Sequence, residues 1–127
     1  MRVRLRGLCL LGVIVLTLGA GSALADDEVR RHGSCSNGPS EWSLRVSRET
    51  STTLRVRFEI EGGAPDQLWQ LFLSDHGTRI FAGSKKSDGG GQVRVRKLTA
   101  DRDGIDRIKA SGVNLATGES CAGSLTY

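Results

Sequence analysis

Leu54-Arg55-Val56-Arg57-Phe58-Glu59-Ile60-Glu61 is the clearest indication of the fold, because apolar and charged side chains alternate along its whole length. Such alternation predicts a β-strand with one face in a core and the other face in water. Residues 42–47 and 92–98 repeat the pattern, with apolar side chains at every second position. The dominant period of the chain therefore predicts strands rather than helices.

The remaining apolar segments complete an all-β prediction. Residues 68–73 form a denser apolar strand, and shorter strands are predicted at 78–83 and 119–127. Residues 105–113 fit either a short helix or a strand that turns Ile108 and Ala110 inward, and we favour the strand. Seven short strands in about 100 residues predict an antiparallel, immunoglobulin-like β-sandwich.

In that arrangement the strands divide into two sheets, with residues 42–47, 54–60 and 92–98 in one and residues 68–73, 105–113 and 119–127 in the other. Trp69 falls on the third predicted strand, where immunoglobulin-like folds bury a tryptophan. We therefore expect Trp69 to point inward, although the opposite parity of that strand is a second solution.

The first residues have the order of a secretory signal peptide. Arg2, Arg4 and Arg6 precede an apolar run at 8–18, and Ala23-Leu24-Ala25 is a small-residue cleavage site before Asp26. The apolar run is shorter than the roughly 20 residues of a membrane span. We predict cleavage between Ala25 and Asp26 and release of a secreted, extracellular protein. The predicted divisions are a signal peptide at 1–25, a flexible arm at 26–34 and a single β-sandwich domain at 35–127.

Charge and cysteine content limit the possible functions. Three of the 18 basic residues and none of the 14 acidic residues lie in the predicted leader, so the mature chain carries a net charge of +1. This balance gives no argument for binding nucleic acid or membranes. Cys35 and Cys121 are the two cysteines outside the leader, and two cysteines in a secreted chain predict one disulfide bond.

No constellation of residues predicts catalysis, a metal site or a cofactor. His76 follows Asp75 in a predicted turn, and no Gly-x-Ser-x-Gly elbow is present to hold a nucleophile. The acidic segment 101–106 departs from a calcium-binding loop, because Gly112 stands where the twelfth-position glutamate belongs. We therefore predict a non-enzymatic protein without metal or cofactor.

Two surfaces follow from the strand parities. One predicted sheet turns five arginines outward, and they would either bind a polyanion or form an ordinary solvated face: Arg45, Arg55, Arg57, Arg94 and Arg96. If Trp69 points inward, the other sheet turns three large apolar side chains outward, either toward a partner or under a loop or the arm: Leu68, Phe72 and Phe81.

The chain resembles a group of small secreted actinobacterial proteins of unassigned activity. The similarity covers residues 34–127 and rests on five segments: Ser34-Cys35-Ser36, Glu41-Trp42-Ser43-Leu44, residues 73–79, residues 99–106 and residues 114–121. The resemblance implies export and one disulfide bond, and it supplies no catalytic or binding residue.

The functional prediction is a secreted, non-enzymatic binding or interaction module, monomeric or weakly dimeric. Its partner would be an extracellular protein or an anionic polymer of the cell envelope. The alternative is a small secreted inhibitor that presents the loop at 84–91 to an extracellular hydrolase.

Overall fold

The computed structural model describes residues 27–127, and these residues form eight antiparallel strands without a helix. The strands are β1 (Val29–Ser34), β2 (Glu41–Thr50), β3 (Thr53–Glu61), β4 (Leu68–Asp75), β5 (Thr78–Lys86), β6 (Val93–Ala100), β7 (Arg107–Asn114) and β8 (Ser120–Thr126). The predicted signal peptide and its cleavage site at Ala25 and Asp26 lie outside the described residues. Within residues 27–127 there is no helix of the length and apolarity needed to cross a bilayer.

The strands make two four-stranded sheets, one with the order β1-β2-β3-β6 and the other with the order β5-β4-β7-β8. For β2, β3, β4, β6, β7 and β8 this division matches the grouping predicted from the arrangement of the strands. The segment that could have been a helix is the strand β7, paired with both β4 and β8. It pairs as a strand because Ile108 and Ala110 alternate with Arg107 and Lys109, which puts both apolar side chains in the core.

The core is built from the alternating apolar residues of both sheets. Trp69 points inward as expected and is 1% exposed. The fully buried large side chains around it are Leu44, Val46, Leu54, Val56, Phe58, Ile60, Leu71, Leu73, Val95 and Ile108. Each of these side chains stands on the inner face of its strand, so the outer faces of the two sheets are left for polar groups and for binding.

The predicted flexible arm is wrong over Val29–Ser34, which is the edge strand β1 and raises the number of strands from seven to eight. β1 pairs with β2 along its whole length, from Val29 opposite Val46 to Ser34 opposite Glu41. An edge strand is held mainly by backbone hydrogen bonds on one side. Since only Val29 and Gly33 are partly buried in β1, its sequence lacks the apolar alternation that reveals the other strands.

The predicted disulfide bond is confirmed between Cys35 and Cys121, whose Cα atoms are 4.4 Å apart. Cys35 directly follows β1, and Cys121 lies in β8 of the opposite sheet. Beside the bond, Ser36 and Ser120 exchange two backbone hydrogen bonds, of 2.7 and 3.0 Å. The chain thus leaves the first sheet after β1 and is fastened to the edge of the second sheet.

Candidate functional site

A row of four arginines crosses the outer face of the β1-β2-β3-β6 sheet. Arg30 lies opposite Arg45, Arg45 lies opposite Arg57, and Arg57 lies opposite Arg96. We call these four residues the arginine row. Since neighbouring strands are about 4.8 Å apart, the row extends roughly 15 Å across the sheet.

The local sequence explains why these side chains face outward. Arg57 stands between the buried Val56 and Phe58, so the pleat of β3 directs it away from the core. The same alternation acts on β2 and β6, where Arg45 and Arg96 each neighbour a buried valine. The strand register then places arginine opposite arginine, which the sequence of no single strand could reveal.

The five arginines predicted to share a face do so, but they form two electrostatic groups. Arg55 makes an ion pair with Glu49, and Arg94 lies 3.9 Å from Glu59. Among residues 27–127, no carboxylate lies within ion-pair distance of any member of the arginine row. The positive charge of this face is therefore concentrated in the row and partly neutralised on either side of it.

Two shallow recesses flank the arginine row. One, of about 200 Å³, lies beside Arg30 and Arg45 and is also lined by Glu41 and Glu61. The other, of about 270 Å³, lies beside Arg57 and Arg96 and is also lined by Glu59. The Nε atom of Arg45 is buried and has no hydrogen-bond partner within the described part of the chain. The guanidinium of Arg45 therefore keeps an unused donor beside the first recess.

Sequence reasoning missed Arg30, because it assigned this residue to the flexible arm. Arg30 extends the face by one strand through its pairing with Arg45. Apart from the partly buried Val29 and Gly33, nothing in residues 29–34 indicates the edge strand. Only the pairing with β2 could show that Arg30 belongs to the row.

The apolar surface on the other sheet contains two of the three predicted side chains, together with the exposed Val113. Leu68 and Phe72 are exposed on its outer face, at 42% and 37%. Phe81 does not lie on this outer face. A register shift between Leu73 and Ser74 places Phe81 opposite Leu73, which faces inward. Phe81 packs against the edge of the core, with the Lys97 ammonium 5.2 Å from its ring centroid.

The loop suspected of inhibiting a hydrolase is shorter than predicted, since Ser84 to Lys86 belong to β5. The remaining residues of the loop are held in place by hydrogen bonds. Asp88 Oδ1 accepts one from each of the backbone N–H groups of Gly90 and Gln92, both at 2.9 Å. The buried Ser87 hydroxyl donates to the Ala64 carbonyl at 2.8 Å. Glycines follow Asp88 at the exposed tip, so this rigid turn offers no large side chain to a hydrolase pocket.

Two buried carboxylates meet at one end of the β5-β4-β7-β8 sheet. Asp75 ends β4 and Asp106 precedes β7, and both are almost fully buried, at 0% and 1% exposure. None of their four carboxylate oxygens accepts a hydrogen bond from an N–H group or a hydroxyl in the described structure, and the side chains that Asp106 contacts through hydrogen bonds are the carboxyls of Asp101 and Asp75. Burial, a side-chain interaction with Asp101 and the neighbouring charge of Asp75 raise the pKa of Asp106 from 3.8 to about 6.

The exposed His76 completes this cluster, which we call the acidic cluster (Asp75, His76 and Asp106). One potential ligand atom from each of the three residues lies within 4.8 Å of the others. The sequence predicts His76 in a turn and places Asp106 in the acidic segment 101–106, about 30 residues further along the chain. They meet because Asp75 pairs with Ile108 in the β4–β7 ladder, a contact between segments distant in sequence.

Comparison of the chain with family models, with curated proteins and with solved structures found no match. The resemblance to secreted actinobacterial proteins stays a prediction.

Proposed function

We propose that the protein is an exported, non-enzymatic binding module that holds an anionic polymer on its arginine row. The observation that carries this proposal is the row itself: four guanidinium groups on adjacent strands, opposite one another and without a carboxylate partner among residues 27–127. Glu49 and Glu59, on the same face, pair with Arg55 and Arg94 instead.

The energetics favour a ligand over a merely solvated face. Like charges that lie directly opposite on paired strands destabilise the sheet by up to about 1 kcal/mol per pair. Three such pairs follow one another along the row. A bound polyanion would remove this repulsion and add charge-assisted hydrogen bonds, which are stronger than neutral ones.

The shape of the face favours a chain of anions over a small anion. The row is open to solvent and extends roughly 15 Å at the usual strand spacing, with a recess on either side. A small phosphate or carboxylate would contact one or two guanidinium groups. A polymer with a repeating phosphate or carboxylate could contact all four, which matches the predicted partner in the cell envelope.

The rest of the molecule is compatible with such a module. The sheet orders β1-β2-β3-β6 and β5-β4-β7-β8 support an immunoglobulin-like topology, in which a rigid sandwich presents its outer faces. The Cys35–Cys121 disulfide bond supports an oxidising, extracellular location, together with the signal-peptide pattern of the sequence.

Titration of the purified protein with long-chain polyphosphate at several salt concentrations tests the proposal. Four phosphate contacts predict that log K falls against log salt concentration with a slope of about −3 to −4. Replacing Arg45, Arg57 and Arg96 together by glutamine should abolish most of the binding and flatten the slope.

The matched control removes the same number of positive charges from the other sheet. It replaces three exposed lysines by glutamine: Lys85, Lys86 and Lys109. This variant should bind polyphosphate nearly as well as the unmodified protein. Equal losses in the two triple variants would show a general charge effect and would overturn the role of the arginine row. No binding by the unmodified protein at low salt would overturn the function itself.

A further inference from the structure

We propose that Asp75, His76 and Asp106 form a binding site for a divalent transition-metal ion, with Zn²⁺ as the best-matched ion. This acidic cluster lies on the β5-β4-β7-β8 sheet, whereas the arginine row lies on the other sheet. The proposal is therefore independent of polymer binding and goes beyond it.

The geometry brings three metal-ligand types to one place. A histidine nitrogen and an oxygen from each of two carboxylates lie within 4.8 Å of one another. Ligands about 2.0–2.2 Å from a shared tetrahedral zinc ion lie about 3.3–3.6 Å apart, so the three atoms would have to approach one another by up to about 1.5 Å. The exposed His76 side chain can supply part of this movement.

The burial of the two carboxylates calls for a group that compensates their charge. Asp75 and Asp106 are 0% and 1% exposed, and within residues 27–127 no N–H group or hydroxyl donates to their four oxygens. Burying a charged group without a partner is costly, so buried carboxylates in proteins are normally paired or coordinate a metal ion. Arg48 does not neutralise them, since its ion pair is with Asp101 at 3.0 Å.

Protonation of Asp106 is the competing way to relieve the buried charge. A proton shared between Asp106 and a neighbouring carboxyl would remove one negative charge from the buried pair, whereas a divalent cation would compensate two. Metal binding and proton binding are thus alternatives for the same two carboxylates, and metal should displace the proton.

The ligand set favours zinc over calcium. Calcium takes six to eight oxygen ligands, whereas imidazole nitrogen is a preferred ligand of zinc and related transition metals. Three protein ligands leave a fourth tetrahedral position, which water could fill on the exposed side of His76. A bound ion would connect the β4–β5 turn to the start of β7. The backbone N–H of His76 already donates a hydrogen bond to the Arg107 carbonyl there, at 3.0 Å.

Isothermal titration of the chelator-treated protein with ZnCl₂, and separately with CaCl₂, tests the site. The variants are Asp106→Asn, which keeps the shape of the buried side chain, and His76→Asn, which also tolerates the left-handed backbone at this position (φ 48°). His32→Asn is the matched control, because His32 is the exposed histidine of β1 in the other sheet. Circular dichroism verifies that each variant is folded.

We expect the unmodified protein and His32→Asn each to bind one zinc ion per chain. In both, addition of zinc should raise the thermal midpoint of unfolding. Asp106→Asn should lose both effects, and His76→Asn should lose most of the affinity. Absence of saturable zinc binding by the folded protein, or unchanged binding in Asp106→Asn, would overturn the site. Calcium binding that exceeds zinc binding and is indifferent to His76→Asn would overturn the transition-metal assignment.

Discussion

The buried carboxylate of Glu119 receives two hydrogen bonds from Ser40, one from its backbone N–H at 3.0 Å and one from its hydroxyl. Glu119 is 3% exposed and precedes β8, while Ser40 is 1% exposed and precedes β2. The contact therefore links the segment after Cys35 to the start of β8. Together with the Ser36–Ser120 backbone hydrogen bonds, it adds a non-covalent connection between the two sheets beside the disulfide bond.

Glu119→Ala should lower the free energy of unfolding by about 2–3 kcal/mol, because it leaves two buried donors of Ser40 without an acceptor. Glu119→Gln keeps one acceptor oxygen and should cost less. Urea denaturation followed by tryptophan fluorescence measures both. Glu41→Ala, at an exposed site, should stay within about 0.5 kcal/mol. An equally small effect of Glu119→Ala would show that the contact contributes little.

Gly123→Ala tests the packing of Trp42 on β8. A Cβ atom at Gly123 would overlap the Trp42 ring, which also lies about 3.0 Å from the corresponding position at Gly33. Moving this ring should cost about 1–3 kcal/mol of stability. Gly89→Ala is the control, since nothing lies within 4 Å of its added methyl group. Matching thermal midpoints for the two variants would contradict the packing.

Arg57→Thr should stabilise the protein at low salt, by about 0.2–1 kcal/mol, because it removes a like charge opposite Arg45 and Arg96. The gain should shrink in 1 M NaCl, where the screening length is about 3 Å. Arg55→Thr, on the same strand, removes the partner of Glu49 and should give no such gain. Thermal denaturation at both salt concentrations checks this, and a salt-independent effect would refute the repulsion.

Asp106→Asn should change the dependence of stability on pH, measured with EDTA present. The pKa of Asp106 is about 6 in the folded protein against an ordinary value of 3.8, so the folded state binds the extra proton. The resulting stability is complete below pH 3.8 and is lost as the pH rises through 6. Two pH units correspond to about 3 kcal/mol, which is the largest expected gain of Asp106→Asn at pH 7.5.

The same gain should vanish near pH 3.5, where the unmodified carboxyl is protonated in both states. The groups that face Asp106 are Asp75, Asp101 and His76, and Asp101 is itself paired with Arg48. Asp103→Asn, at an exposed position, should leave the pH profile unchanged. A gain that persists undiminished at pH 3.5 would show that Asp106→Asn acts through packing instead of charge.

The sequence alone determined the features that depend on local alternation. Leu54 to Glu61 fixed a strand and its two faces, because each side chain of a strand points opposite to its neighbours. The same rule placed Arg45, Arg57 and Arg96 outside. For the strand that carries Trp69 it left two solutions, and the structure has the one with Trp69 in the core. The pairing of Cys35 with Cys121 followed from their being the two cysteines outside the predicted leader.

Only the tertiary structure decided which residues meet. The register of four strands put Arg30, Arg45, Arg57 and Arg96 in one row, and a register shift after Leu73 moved Phe81 to the inner face. The β4–β7 ladder likewise brought Asp75 to Asp106. Strand pairing joins segments far apart in the chain, and its register is set by the packing of the whole sandwich, so no local pattern contains it.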